Sequence, residues 1–272
     1  MSTEYTPGAA GTVANNLAAL GCGCVAVLGI AGEDGFAWEL DAALRARRID
    51  TTWLLRSPDL ATFTYTKLIN GVTGAEDLPR VDFINTQPLP GDLDLKLVNT
   101  LRNIADGFDV ILVSDQAETG GGVVTPGVRD ALGDLKKLVW ADSRKRCEMF
   151  RNVILKPNRE EADAACIRIC GQVNYAALRS HTRAKLLVIT DGPQGAQVVD
   201  DAGETWVPAR PNENPVDICG AGDSFSAGAA LALAVTGSAI EAARFGNLVA
   251  SVTIMKKGTG TASPAELTSE LI

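Results

Sequence analysis

The sequence predicts an α/β fold, a three-layer α/β/α domain on a mostly parallel sheet with a small β lid. Three observations predict it. Apolar runs at "DVILVSD" (109–115), "KLVWADS" (137–143), "VILKPN" (153–158) and "KLLVITDG" (185–192) alternate with helical segments, the pattern of βαβ units. Between 51 and 85 that alternation lapses into short β-branched and aromatic runs without helices. Finally, 272 residues can bury one sizeable core, and no repeat or Pro-rich linker divides them. The expected organisation is one domain over 1–272, with lid strands at about 52–87 inserted in it.

Taken in order, "GTVANNLAALG" places Val13, Leu17 and Leu20 at helical spacing and stops at Gly21. "CVAVLGIAG" reads as a buried strand, and "DGFAWELDAALRARRI" as an amphipathic helix with Phe36, Leu40 and Leu44 on one face. "TTWLLRS", "ATFTYTKLIN" and "RVDFIN" follow as three short antiparallel strands, separated by turn clusters around Pro58 and Gly71 to Pro79. After the alternating region, "GAQVVDD" and "ETWVPAR" form a hairpin. Two helices, about 221–235 and 238–256, and the loop "KKGTGTASPAEL" complete the pattern.

The totals exclude several function classes. A net charge of −8 argues against general nucleic-acid binding, which needs a basic face toward phosphates. "RARR" (45–48) and "RKR" (144–146) read as solvated faces. No apolar run reaches the ~18 residues of a membrane span. "MSTEYTPG" lacks the features of a signal peptide, so a cytoplasmic location is expected. The six cysteines, at 22, 24, 147, 166, 170 and 219, form no CxxC pair and are expected as reduced, mostly buried thiols. One histidine, His181, rules against a histidine triad or a multi-histidine zinc site.

Chemistry therefore falls to carboxylates, backbone amides and a bound ion. In open α/β sheets ligands collect at the carboxyl ends of strands, where Asp115, Asp142, Asn158, Asp191 and the turn Gly220 to Asp223 all fall. Gly220, Ala221 and Gly222 precede a helix whose N-terminal amides attract anions, and small residues let the backbone approach closely. Asp223 in the first turn is either a helix-capping carboxylate or a base beside an anion hole. Asn158 and Glu161 have the spacing of a capping box; the same pair could organise water around Mg²⁺ and nucleotide phosphates. "TDGPQG" (190–195) is either hairpin punctuation or a backbone surface for a nucleotide. No P-loop, dinucleotide fingerprint or protein-kinase motif occurs.

Together these motifs resemble the ribokinase-like (PfkB) family of carbohydrate kinases. "DICGAGDSFSAG" is similar to its D-T-x-G-A-G-D signature, "NREE" to N-x-x-E and "TDGPQG" to T-x-G-x-x-G, in order and over nearly the whole chain. "PGAAGTVANNLAALG", "RVDF", "VSD" and "GTGTASPAEL" resemble the heptose-7-phosphate kinase branch, also the kinase half of bifunctional ADP-heptose synthases. The resemblance implies a ribokinase-like fold and an ATP-dependent, Mg²⁺-requiring transfer of the γ-phosphoryl to a sugar or sugar-phosphate hydroxyl. D-glycero-D-manno-heptose 7-phosphate is the first expectation for the acceptor.

By matching position, Asp223 is the base, and Gly220, Ala221 and Gly222 hold the transferred phosphoryl. Asn158 and Glu161 sit near the phosphates, with Glu161 reaching Mg²⁺ through water. Thr190, Gly192, Gly195, Asn247 and Gly258 line ATP, while Gly8, Thr12 and Asn16 bind the sugar. Carbonyls around Asp217 and Cys219 hold a monovalent cation, K⁺ in some relatives, and the lid pairs two subunits into a homodimer.

The departures cluster in the sugar pocket. Where the family has G-G and then asparagine, this chain has Gly8-Ala9 and Thr12. "SDQAETGG" stands where S-D-Y-G-K-G is expected, and nothing before Pro7 matches the family's opening strand with its sugar-binding aspartate. Those departures motivate a rival, a kinase-derived protein that binds sugar or nucleotide with little catalysis. A nucleoside kinase, or another PfkB-family kinase, differs only in acceptor.

Overall fold

A computed structural model of the chain describes residues 3–74, 76–116, 119–210, 212 and 214–269. Helix α1 (Ala10–Ala19) leads into strand β1 (Ala26–Gly32), helix α2 (Gly35–Ala46) and strand β2 (Asp50–Ser57). The ribbon strands β3 (Thr64–Thr66) and β4 (Val81–Phe83) come next. The alternating region supplies α3 (Gly91–Ile104), β5 (Val110–Asp115), α4 (Pro126–Asp134), β6 (Leu138–Ser143) and β7 (Ile154–Leu155). It continues through α5 (Arg159–Cys170), α6 (Tyr175–Thr182), β8 (Leu187–Thr190), β9 (Gly195–Asp200) and β10 (Gly203–Pro208). Helices α7 (Ala221–Thr236), α8 (Ala239–Thr253) and α9 (Pro264–Ser269) complete the described chain.

The main sheet runs β10-β9-β8-β7-β6-β5. Strands β5 to β8 are parallel, and the β9–β10 hairpin adds an antiparallel edge. Apolar side chains cover both faces. Val113, Val139, Ala141 and Leu155 join Phe150, Ala165 and Leu178 on the face carrying α3 to α6. Trp140, Val188 and Val198 meet Phe225, Ala229 and Ala243 of α7 and α8 on the other. Strand parity then decides what reaches the site: Asp142 lies two residues beyond Trp140, on the α7 face, whereas Asp115 and Ser143 lie opposite.

The lid region departs from expectation. Strand β2 belongs to no antiparallel sheet; it pairs in parallel with β1, from Ala26 with Asp50 to Gly32 with Ser57. Helix α2 is the crossover that a parallel pair requires, and period-2 alternation alone does not reveal strand direction. The antiparallel part reduces to β3 with β4, in register from Thr64 with Phe83 to Thr66 with Val81. Its stems are tied together where Asn85 exchanges hydrogen bonds with the Ala61 backbone, donating at 2.8 Å and accepting at 3.1 Å.

Two cysteines are buried, Cys147 and Cys166, but Cys24, Cys170 and Cys219 are exposed. They sit just before β1, at the end of α5 and in the turn before α7, where apolar periodicity no longer constrains a side chain.

Ala9, at the N-cap of α1, has φ 37° and ψ −103°. This is a conformation glycine adopts freely and a β-carbon resists. The chain thus keeps the backbone of a G-G pair while carrying a methyl group at the second position. Ala9→Gly is expected to stabilise the fold by about 1 kcal/mol, the relieved strain outweighing the extra entropy of the unfolded chain. Urea unfolding of the two proteins measures it, and an unchanged midpoint would disprove the strain.

Candidate active site

The turn before α7 is held at both ends. The Val216 and Asp217 amides donate to the Ile254 carbonyl at 2.9 and 3.0 Å. The Asp217 carboxylate accepts from the Cys219 amide at 2.9 Å and from the Gly258 amide at 3.0 Å. That joins two expected site residues, Asp217 and Gly258, across the carboxyl end of α8. Gly220 is left-handed at φ 79°, and a β-carbon there would lie 3.1 Å from methyl groups of both Thr12 and Thr259. Conformation and crowding together demand glycine.

The Ala221 amide is engaged by the Ile218 carbonyl at 3.2 Å. Among the described residues the Gly222 and Asp223 amides have no such backbone acceptor. Nor does the Gly220 amide among those residues, so within the expected Gly220-Ala221-Gly222 set it is Ala221 whose amide is already engaged.

Beneath this helix end lies a buried ion pair, in which Asp142, expected at the carboxyl end of its strand, meets Lys156, which no motif marks. Lys156 Nζ stands 2.7 Å from the Asp142 carboxylate, with the two residues only 4% and 7% exposed. The same ammonium lies 3.5 Å from where a β-carbon on Gly222 would be. Burial opposes the charge on Lys156, but Asp142, with Glu161 and Asp223, raises its pKa above the usual lysine range.

Asp223 is half-buried, and its pKa is pushed up to about 7. Desolvation is the main cause and the nearby Asp142 carboxylate adds to it, while Lys156 and Arg144 pull the other way. A carboxylate with that proton affinity suits a general base working near neutral pH.

Asn158 and Glu161 form the complete capping box on α5. Asn158 Oδ1 accepts from the Glu161 amide at 2.9 Å, and Glu161 Oε2 accepts from the Asn158 amide at 2.8 Å. The capping role is thus real, and it also fixes both side chains beside an open groove shared with Arg144, Glu160 and Arg168. Burial raises the Glu161 pKa, with Asp142 adding to it and the Asn158 amide, Lys156 and Arg144 opposing. Thr190 adjoins this end: its amide donates to the Pro157 carbonyl at 3.0 Å and its backbone bridges Asn158 in parallel.

Gly195 and Asn247 converge on the end of β10. A β-carbon on Gly195, at φ 118°, would stand 2.2 Å from the Val207 carbonyl, and Asn247 Nδ2 donates to the Val207 and Pro208 carbonyls at 3.3 Å each. Gly192, left-handed at φ 50°, is exposed in the turn between β8 and β9. Gly195 adjoins Thr190 through the pairing of β8 with β9, in which Thr190 faces Ala196.

Gly8 is exposed, but Thr12 is 1% exposed and Asn16 0%. Asn16 Nδ2 donates to the Thr12 carbonyl at 3.0 Å, to Ser224 Oγ at 3.2 Å and to the Gly260 carbonyl at 3.4 Å. Thr12 Oγ1 donates to the Pro7 carbonyl at 3.1 Å. Asn16 thus ties α1 to α7 and to the 256–260 loop, whereas Thr12 bonds to the segment just before its own helix and sets its methyl group beside Gly220. Helix α1 presents both side chains inward, beside the turn before α7. Ala117 and Glu118, where the family's glycine and lysine are expected, lie outside the described residues.

The basic run 144–146 is also more than a solvated face. Arg146 bonds Asp115 through both nitrogens of its fork, while Ser143 Oγ donates to Asp115 Oδ2 at 2.7 Å. This locks the turn after β6 and places Arg144 at the groove.

Mg²⁺ fits these residues in one way only. Among the described residues no group of three His, Cys, Asp or Glu side chains could cage a metal. Glu161 beside the groove instead suits a hard cation that keeps its waters and arrives with nucleotide phosphates. No helix among the described residues is long and apolar enough to cross a membrane.

Comparison with known proteins agrees with the geometry. The model of the pfkB family of carbohydrate kinases matches residues 1–266. The Bifunctional protein HldE of Trichlorobacter lovleyi is 34% identical over 272 residues, 96% of this chain and 54% of that protein. The chain thus spans about half the length of the curated relatives it matches. Phosphofructokinase-2 of Escherichia coli, solved in complex with potassium, superposes with a TM-score of 0.76 at 21% identity, over 95% of this chain and 84% of that one. A ribokinase II from E. coli, solved with ATP and Mg²⁺, gives a TM-score of 0.74 at 18% identity, over 99% and 90%. With the family model covering nearly its whole length, a ribokinase-like fold and the GAGD turn over a half-buried carboxylate, this chain belongs to the pfkB family of carbohydrate kinases.

Proposed function

We infer that the chain transfers the γ-phosphoryl of ATP to a hydroxyl of a sugar phosphate, with a heptose 7-phosphate as the preferred acceptor. The observation that carries the reaction is Asp223, a carboxylate with near-neutral proton affinity in the first turn of α7 beside two amides with no backbone acceptor. The acceptor choice is supported by the heptose-branch motifs at 7–21 and 258–267 and by the HldE match over 96% of the chain.

In this reading Asp223 takes the proton of the attacking hydroxyl. The Gly222 and Asp223 amides receive the anionic phosphoryl, with the positive helix end behind them. Asn158 and Glu161 face the nucleotide phosphates across the groove, and bound Mg²⁺ would neutralise charge on them. Thr190, Gly192, Gly195 and Asn247 form the nucleotide rim, while the tie between Asp217 and Gly258 sets the turn around which a monovalent cation would bind. The β3–β4 ribbon bears exposed Tyr65, Val81 and Phe83. It would cover the acceptor and present an apolar face to a second copy, a point that sedimentation of the intact chain reads directly.

The decisive experiment screens ATP consumption against hexoses, heptose phosphates and nucleosides, with and without potassium. Turnover highest on a heptose phosphate is expected. Preference for a nucleoside would overturn the acceptor assignment, and no turnover on any sugar, with retained nucleotide binding, would favour the non-catalytic rival.

A further inference from the structure

We propose that Arg159 is a positioning residue for the nucleotide, holding the turn from Thr190 to Gly195 in place through Asp191. The proposal rests on the kinase reading above, in which that turn lines ATP, and concerns two side chains that the matched motifs leave unspecified. Arg159 opens α5 directly after the Asn158 cap, and Asp191 directly follows β8. Arg159 Nε donates to Asp191 Oδ2 at 2.6 Å. Its Nη1 donates to Tyr175 Oη at 3.0 Å, and Tyr175 Oη donates to Asp163 Oδ1 at 2.6 Å. The guanidinium also lies over the Trp206 ring, 5.7 Å from its centre. One side chain thus ties α5, α6 and β10 to the turn after β8.

The turn needs that tie. Gly192 at φ 50° and Gly195 at φ 118° leave it two glycines at positive φ, the residue type with the most backbone freedom to lose. The Asp191 amide donates to the Gly195 carbonyl at 2.8 Å and the Gln194 amide to the Asp191 carbonyl at 3.0 Å, which closes the turn on itself without orienting it. On the β10 side the Ala209 amide reaches the Gln194 carbonyl at 3.3 Å. Toward α5, the Thr190 amide meets the Pro157 carbonyl at 3.0 Å, and beyond Thr190 the Arg159–Asp191 pair joins the turn to the helix that carries Asn158 and Glu161. The two side chains are 34% and 35% exposed, so their charge attraction adds little to folding stability. What the pair supplies is geometry: a planar guanidinium, fixed by Tyr175 and Trp206, presents its Nε to one carboxylate in one orientation. Its effect therefore belongs in nucleotide binding more than in stability.

The test compares the intact wild-type chain with Arg159→Ala, Asp191→Ala, the double variant and Arg159→Lys, by calorimetry of ADP and ATP binding and by steady-state kinetics. Each alanine variant is expected to raise the KM for ATP about tenfold and to weaken ADP binding to match. Changes in kcat and in the KM for the acceptor should be far smaller, the pattern of lost ground-state binding. The double variant should bind nucleotide no more weakly than either single variant, because both remove the same interaction. Arg159→Lys keeps a cation at that position and should recover part of the affinity. An unaltered KM for ATP in Arg159→Ala would overturn the proposal while leaving the kinase reading intact. Additive losses in the double variant would overturn the action through Asp191. A fall in melting temperature that carries kcat and both KM values with it would reduce Arg159 to a scaffold residue. A wild-type chain that binds no nucleotide would instead remove the reading on which the proposal stands.

Discussion

Asp223→Asn is expected to lower turnover by about 10²–10⁴, because the amide occupies the same space but accepts no proton. The stability of the same variant should move the other way. The folded-state pKa of Asp223 is pushed up to about 7 by burial and by Asp142. The folded protein therefore holds that proton more tightly than the unfolded chain does. Its contribution to stability is fully present below the ordinary carboxylate range and is lost as pH rises toward 7. Asparagine has no charge to desolvate, so the variant should melt a few degrees above wild type at pH 8, the gap closing as pH falls toward 4. Wild-type kcat/KM should rise through an acid limb near pH 7 for the same reason. A variant with near-normal turnover would dismiss Asp223 as the base. One inactive but no more stable at pH 8 would show that burial does not set its proton affinity.

Much of this site could be read from the chain because its parts are local. A left-handed glycine, a helix start and an acidic first turn are encoded within four consecutive residues, 220–223, and the capping box within another four, 158–161. The sheet order from β5 to β8 follows from alternating apolar runs joined by helices. What stayed hidden depends on three-dimensional parity. Asp115 and Asp142 look equivalent at the ends of adjacent strands, yet register sends one to Arg146 and the other to Lys156. Lys156 itself lies in "LKPN", one apolar residue from a motif, with nothing local to mark it as buried. Thr12 and Asn16 were legible as neighbours of the turn, but a helix of moderate amphipathicity does not announce which polar residues it turns inward. The parallel pairing of β2 was lost in the same way, since alternation fixes which face a residue occupies and not the direction of its partner.

The ion pair under the turn should produce the largest loss of stability of any single change considered. Lys156→Met removes one partner of a pair that is almost wholly buried and leaves Asp142 as an unpaired charge, a loss of about 3–5 kcal/mol. Asp142→Leu together with Lys156→Met removes both charges and replaces them with apolar groups, so most of that loss should be recovered. Denaturant unfolding of both single variants and the double variant closes the cycle. Activity need not follow stability. The Lys156 ammonium lies 3.5 Å from the β-carbon position of Gly222, close enough to add positive potential beneath the amides that receive the phosphoryl. In the double variant the turn should refold around Gly220 and Asp217 as before, with that potential gone. The expected result is therefore a stable protein with a lowered kcat and a KM for ATP close to wild type, the pattern of an interaction made chiefly in the transition state. Full recovery of kcat alongside stability would reduce Lys156 and Asp142 to scaffold. Continued instability of the double variant would mean that the cavity's shape, and not its charge, is what the pair supplies.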